Sequence, residues 1–99
     1  MNITAEEAKK IMDTESEYVV LDVRTEEEFA QGHIPGAILI PDYEIREEAE
    51  SSLPDKDALI LVYCRSGRRS AEAAGKLQAL GYEHIYDVGG LIGWPYGLV

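Results

Sequence analysis

The chain has 99 residues, a length that fits one domain and leaves no room for a second core. Apolar types make up 45% and charged types 28%, the balance of a soluble folded chain rather than a disordered tail. Nineteen acids against nine lysines and arginines set the formal charge at −10, which excludes a general nucleic-acid binder, because phosphates need a cationic face.

Thr4-Ala5-Glu6-Glu7 reads as a capping box, so a helix is predicted from there to about Met12, with Ala5, Ala8, Ile11 and Met12 on one side. Tyr18-Val19-Val20-Leu21 is apolar without alternation, the pattern of a strand covered on both faces. Thr25-Glu26-Glu27-Glu28 forms a second capping box, opening a short helix that runs through Phe29 and stops near Gly32. Its three consecutive carboxylates suit a positive helix end and need no catalytic explanation. Ala37-Ile38-Leu39-Ile40 is the next strand, ended by Pro41. Residues 42–52 are acid-rich and predicted helical, with Tyr43, Ile45 or Ala49 facing inward, and Pro54-Asp55 makes a turn.

Ala58 to Tyr63 is the strongest strand signal in the chain. A helix follows from about Arg69 to Leu80, burying Ala73, Ala74, Leu77 and Leu80 and ending at Gly81. His84 to Val88 is a last strand, Gly89-Gly90 a turn, and Leu91 to Val99 a packed loop or short turn. Strands that alternate with helices and are apolar on both faces predict an α/β fold: a parallel sheet of about five strands with helices on both faces, a three-layer sandwich. In such sheets ligands bind beyond the carboxyl ends of the strands, which directs attention to whatever follows Tyr63.

No membrane span is expected, since the longest uncharged run, Phe29 to Pro41, is too short and is broken by glycine and proline. Met1 to Glu7 lacks the basic-then-apolar order of a signal peptide. Cys64 is the only cysteine, so no internal disulfide can form, and a reducing compartment, the cytoplasm, is expected. One cysteine and two separated histidines fall short of a closed zinc site, and no metal is expected.

Charge is unevenly spread. Residues 1–57 hold sixteen acids and five bases, while residues 58–99 hold three acids and four bases. Three of the nine cations, Arg65, Arg68 and Arg69, follow Cys64 within five positions. Arginines alone read as a basic turn. The full run Cys64-Arg65-Ser66-Gly67-Arg68-Arg69-Ser70 stands between the best strand and a good helix, where backbone N–H groups and the helix end cradle an anion. A thiolate is such an anion, so Cys64 is expected to be nucleophilic without a histidine base. Gly67 lets the loop curl, and Ser66 and Ser70 carry further donors. The competing reading, an inert thiol ending a core strand, does not call for Arg, Ser, Gly, Arg, Arg in succession.

This loop resembles the active-site loop of the rhodaneses, the thiosulfate sulfurtransferases. Asp22-Val23-Arg24, Glu28-Phe29, Gly32-His33-Ile34-Pro35-Gly36-Ala37 and Gly89-Gly90 with Trp94 resemble that family's signatures in its order, so the likeness spans nearly all of residues 1–99 as a single rhodanese domain. Leu39 departs from the asparagine often found there, a matter of strand packing. The resemblance implies double displacement with no cofactor: Cys64 attacks the outer sulfur of an anionic donor such as thiosulfate, sulfite leaves, and the resulting persulfide passes its sulfur to cyanide or to a thiol, small or on a protein. Arg65, Ser66, Gly67, Arg68, Arg69 and Ser70 are then the candidate donor-binding residues, and a monomer is expected. It also implies a structural role for His33; His84 begins a strand, and Asp22 and Arg24 hold neighbouring loops.

Two rivals share the setting. A cysteine phosphatase or arsenate reductase places arginine after Cys and five residues, which would be position 70; here that residue is Ser70, with the arginine one place earlier at Arg69. The loop is a residue short for a phosphoryl group. A non-catalytic rhodanese-like interaction module needs no cysteine, whereas a persulfide carrier would use the same residues as the enzyme.

Overall fold

The computed structural model describes residues 1–99 and contains a four-stranded, all-parallel sheet between helices. In chain order the elements are α1 (Ala5–Thr14), β1 (Val19–Asp22), α2 (Glu26–Gln31), β2 (Ile38–Leu39), a 3₁₀ turn (Asp42–Glu44), α3 (Ile45–Ser52), β3 (Leu59–Cys64), α4 (Arg68–Ala79) and β4 (His84–Gly90). The strand order β2-β1-β3-β4 reverses direction between β1 and β3. Four strands stand where about five were expected; an isolated parallel bridge from Asn2 to Asp87 extends the pairing beyond β4.

Both expected capping boxes form. The Thr4 hydroxyl accepts from the Glu7 N–H while the Glu7 carboxylate accepts from the Thr4 N–H, each at 3.0 Å. Thr25 and Glu28 repeat the arrangement at the head of α2. Such a box satisfies two of the four orphan amides at a helix start, which explains why a six-residue helix persists.

Alternation along β3 divides the core. Ile60, Val62 and Cys64 face Ile45 and Ala49 of α3 and Ala73 and Leu77 of α4, while Leu61 and Tyr63 pack on the other face with Ile34, Ile11, Met12, Leu91 and Trp94. The cysteine therefore lies on the α4 side of the sheet because of its parity in the strand. Ile45 and Ala49 are buried as expected, whereas Tyr43 is exposed: it belongs to the 3₁₀ turn, whose shorter repeat turns it outward.

Gly89-Gly90 is not a turn but the end of β4, paired with Tyr63 and Cys64 across a register shift. Gly90 is needed for proximity. A Cβ on Gly90 would lie 2.6 Å from the Arg65 carbonyl oxygen and 2.8 Å from Ser66 Cα. Only a bare backbone lets the strand pass under the cysteine loop.

Candidate active site

The carboxyl ends of β1 and β3 meet at the point where the strand order reverses, the usual ligand position in open parallel sheets. Cys64 is the last residue of β3, and α4 starts four positions later. Gly67 is the N-cap of α4 with φ +106°, a left-handed conformation that suits glycine. This bend folds the loop back on itself, so that the Gly67 N–H donates to Cys64 Sγ at 2.9 Å. The Ser70 hydroxyl, fully buried, donates to the Gly67 carbonyl at 3.0 Å and braces the same bend. Cys64 itself is only 1% exposed, so the sulfur sits at the floor of the loop with an amide for a partner.

The three arginines differ. Arg69 makes a two-pronged ion pair with Glu28, Nη1 to Oε1 at 2.6 Å and Nη2 to Oε2 at 2.9 Å. That hydrogen-bonded pair holds the Glu28 carboxyl down at about 2, against some opposition from burial, with the Thr25 N–H helping. Reciprocally, Glu28 raises the Arg69 guanidinium above its ordinary range, with smaller contributions from the charges of Cys64 and Asp42. Arg69 thus lies within electrostatic reach of the sulfur while its fork is committed to α2. Arg68 is 88% exposed in its side chain and has only Glu72, at 3.7 Å, as an ion partner. Arg65 is exposed and has no ion pair. Ser66 is exposed at the tip.

Beneath the loop lies a buried polar network. Arg24 Nε donates to Asp22 Oδ1 at 2.9 Å and its Nη2 to Oδ2 at 2.6 Å. Nη2 also reaches the Gly32 carbonyl at 2.7 Å. Tyr63 OH donates to Asp22 Oδ2 at 2.7 Å and accepts from the Ile34 N–H at 3.1 Å. Asp22 is fully buried, and its neighbours supply the donors that a buried carboxylate requires. Burial first, then the bond to Asp22, pushes the Tyr63 phenol well above its ordinary range, so it remains a donor. The network ties β1, β3 and the 32–34 turn into one rigid floor.

His33 is structural: its ring stacks on Phe29 at 3.8 Å and its Nδ1 lies 3.1 Å from the Phe29 carbonyl. His84 is exposed at the start of β4. A cavity of about 810 Å³ lies at the amino ends of β1 and β3, the pole opposite Cys64. A smaller cleft of about 500 Å³ borders the loop at Arg65, Leu91, Ile92 and Leu98. In the sequence Glu28 reads as a helix cap and Gly90 as part of a turn, both within the family's signatures, but neither gains a place beside Cys64 there; the Arg69 pair and the close approach to Arg65 become visible only when distant segments are brought together. No helix is long and apolar enough to cross a membrane.

The sequence profile of the rhodanese-like domain matches residues 4–95. Thiosulfate sulfurtransferase PspE of Escherichia coli is 42% identical over 71 residues, covering 72% of this chain and 68% of its own. A sulfurtransferase of Allochromatium vinosum is 36% identical over 88 residues, covering 88% and 79%. The solved structure of a rhodanese with anions from E. coli superposes with a TM-score of 0.77 at 38% identity, covering 83% of this chain and 96% of that one.

Proposed function

Since the chain belongs to the rhodanese-like domain family and is a rhodanese-type sulfurtransferase, we propose that it carries a sulfane sulfur from thiosulfate to a thiol or cyanide as a persulfide on Cys64. The observation that carries this reading is the Gly67 N–H pointing at Cys64 Sγ, 2.9 Å away, at the head of α4. A backbone amide at a helix start donates to this sulfur, the kind of partner that an anionic sulfur uses.

In the first half-reaction the Cys64 thiolate attacks the outer sulfur of thiosulfate. The S–S bond of the donor breaks, its electron pair leaves with sulfite, and Cys64 holds S–S⁻. In the second, an acceptor thiolate or cyanide attacks that outer sulfur and restores the Cys64 thiolate. No second cysteine exists in the chain to intercept the intermediate. Arg65 is the guanidinium free to meet the donor's sulfonate oxygens, Arg69 supports the site's charge from its post on Glu28, and Ser70 and Gly67 hold the bend. A lone reduced cysteine suits a reducing compartment such as the cytoplasm.

The test is intact-mass spectrometry after exposure to thiosulfate. One added sulfur is expected, removed again by cyanide and absent from Cys64→Ser. No gain in mass by the native protein would overturn the reading, as would activity on an aryl phosphate instead.

A further inference from the structure

Asp87 is a buried acid without a cation. It lies within β4, is 7% exposed, and by alternation with Ile85 points to the α4 side of the sheet, the side on which Cys64 lies. No lysine or arginine pairs with it, although a buried carboxylate ordinarily takes such a partner. Its one side-chain hydrogen bond accepts the Gly89 N–H at 2.8 Å, two residues on, the local bond by which aspartate bends its own backbone. At that bend the register with β3 slips. Val62 pairs with Asp87, but Tyr63 pairs with Gly89 and Cys64 with Gly90, which leaves Val88 as an extra residue. Gly89 has φ +86°, a conformation that suits glycine. Bulges of this kind are rare in parallel pairs and recur beside active sites, where they re-aim the chain.

The backbone that this bulge re-aims carries the cysteine loop. Just beyond it the Leu91 N–H donates to the Cys64 carbonyl at 2.8 Å and the Ile92 N–H to the Arg65 carbonyl at 3.2 Å. A Cβ on Gly67 would meet Gly89 Cα at 3.8 Å and Gly90 N at 3.9 Å, so Gly67 rests on the Gly89–Gly90 peptide. Gly67 is the residue whose N–H donates to Cys64 Sγ at 2.9 Å. Contacts therefore run from the Asp87 carboxylate to the sulfur through backbone alone: the Gly89 amide, the Gly89–Gly90 peptide, then Gly67. Without the carboxylate the Gly89 amide loses its partner, and nothing else in β4 pins the extra residue at Val88.

We propose that Asp87 is a positioning residue for sulfur transfer: by accepting the Gly89 N–H it fixes the bulge in β4, and the bulge holds the Gly67 amide against Cys64 Sγ. The carboxylate makes no hydrogen bond to the sulfur, and it serves as an acceptor rather than as a charge. The proposal rests on the persulfide reading of Cys64 and deepens it, by extending the machinery of the site to a residue outside the loop. Small displacements suffice for such a role, since a misplacement of about 1 Å caused at a distance slows a reaction about a hundredfold.

Three substitutions at one position test it. Asp87→Leu fills the space with hydrocarbon and removes the acceptor. Asp87→Ser keeps a weaker acceptor, because a serine hydroxyl makes the same turn bond less well, and Asp87→Asn keeps a full one without the charge. Single-turnover loading by thiosulfate is expected to fall about ten- to a hundredfold in D87L, by less in D87S, and to stay near native in D87N. The amide NMR resonance of Gly67, which senses its bond to the sulfur, is expected to move in the same order. Tyr82→Phe is the control for stability alone: it removes a hydroxyl bonded to the Ala49 and Leu53 carbonyls, away from the loop, and is expected to load at the native rate. Should D87L fail to fold, D87S and D87N carry the ranking. Native loading rates in D87L and D87S overturn the proposal. So does a D87N protein as slow as D87S, which would make the charge decisive, and so does a Gly67 resonance unmoved in a slow variant. An equal slowing in Tyr82→Phe overturns it as well, by reducing the effect to lost stability. Failure of the native protein to load sulfur would instead defeat the persulfide reading, and the Gly67 resonance would still report whether Asp87 places that amide.

Discussion

Arg69 and Glu28 stand 41 residues apart in sequence yet form a two-pronged ion pair of 2.6 and 2.9 Å that ties the head of α4 to the head of α2. Glu28 serves two masters at once, capping its own helix through Thr25 and anchoring the arginine beside the sulfur. Four expectations follow from this and the neighbouring contacts.

Glu28→Gln keeps the cap's geometry and removes the charge. Because the folded protein holds this carboxyl at about 2, below its ordinary value near 4.5, the pair's contribution is complete above about pH 4.5. It is lost as pH falls from there towards 2. At pH 7 the variant should be less stable by roughly 1 kcal/mol, the scale of a partly exposed ion pair. The gap in melting temperature between native and variant should narrow as pH drops through that window; a gap independent of pH would show that the pair contributes nothing.

Gly90→Ala should damage the site more than the fold's size suggests. The new methyl would come within 2.6 Å of the Arg65 carbonyl oxygen and 2.8 Å of Ser66 Cα, both backbone atoms that can yield only by moving the loop. A stability loss of about 1–3 kcal/mol is expected, together with a marked slowing of sulfur loading. Gly75→Ala is the control: nothing lies within 4 Å of its Cβ position in the exposed interior of α4, so that variant should gain about 0.5–1 kcal/mol. Denaturant titration of both proteins checks the pair.

Tyr63→Phe leaves the packing of the floor intact and removes one donor from Asp22 and one acceptor from the Ile34 amide. A loss of about 1–3 kcal/mol is expected. Asp22→Asn, which strands the buried Arg24 guanidinium, should cost more, about 3–5 kcal/mol. Because the two residues share one network, the double variant should fall short of the sum; strict additivity in chemical denaturation would dissolve the network.

Arg65→Ala should slow loading by thiosulfate about ten- to hundredfold, the worth of one charged hydrogen bond. Arg68→Ala should change it little, since that side chain is 88% exposed and turned to Glu72. Arg69→Ala should fall between them and also lower the melting temperature through Glu28. Single-turnover loading followed by mass spectrometry ranks the three, and a dominant effect at Arg68 would reverse the assignment.

Much of this molecule is written locally. The two capping boxes, the uninterrupted apolar run of β3, the glycine after α4 and the cysteine followed by arginines are all nearest-neighbour or one-turn patterns, so they could be read without coordinates. Periodicity also placed Ile45 and Ala49 inward, while Tyr43 turned outward because a 3₁₀ turn replaced the first turn of the helix.

What the three-dimensional arrangement alone decided is which groups remain free. Three arginines close together in sequence look equivalent, but only the meeting of α2 with α4 commits Arg69 to Glu28 and leaves Arg65 without an ion pair. Gly89-Gly90 reads as a turn but ends β4, where Gly90 must pass the backbone of Arg65, 25 residues earlier in the chain. A sequence states which side chains exist and how neighbours bend the backbone. Contacts across tens of residues depend on how the sheet closes, and those contacts determine which charge is available to a ligand.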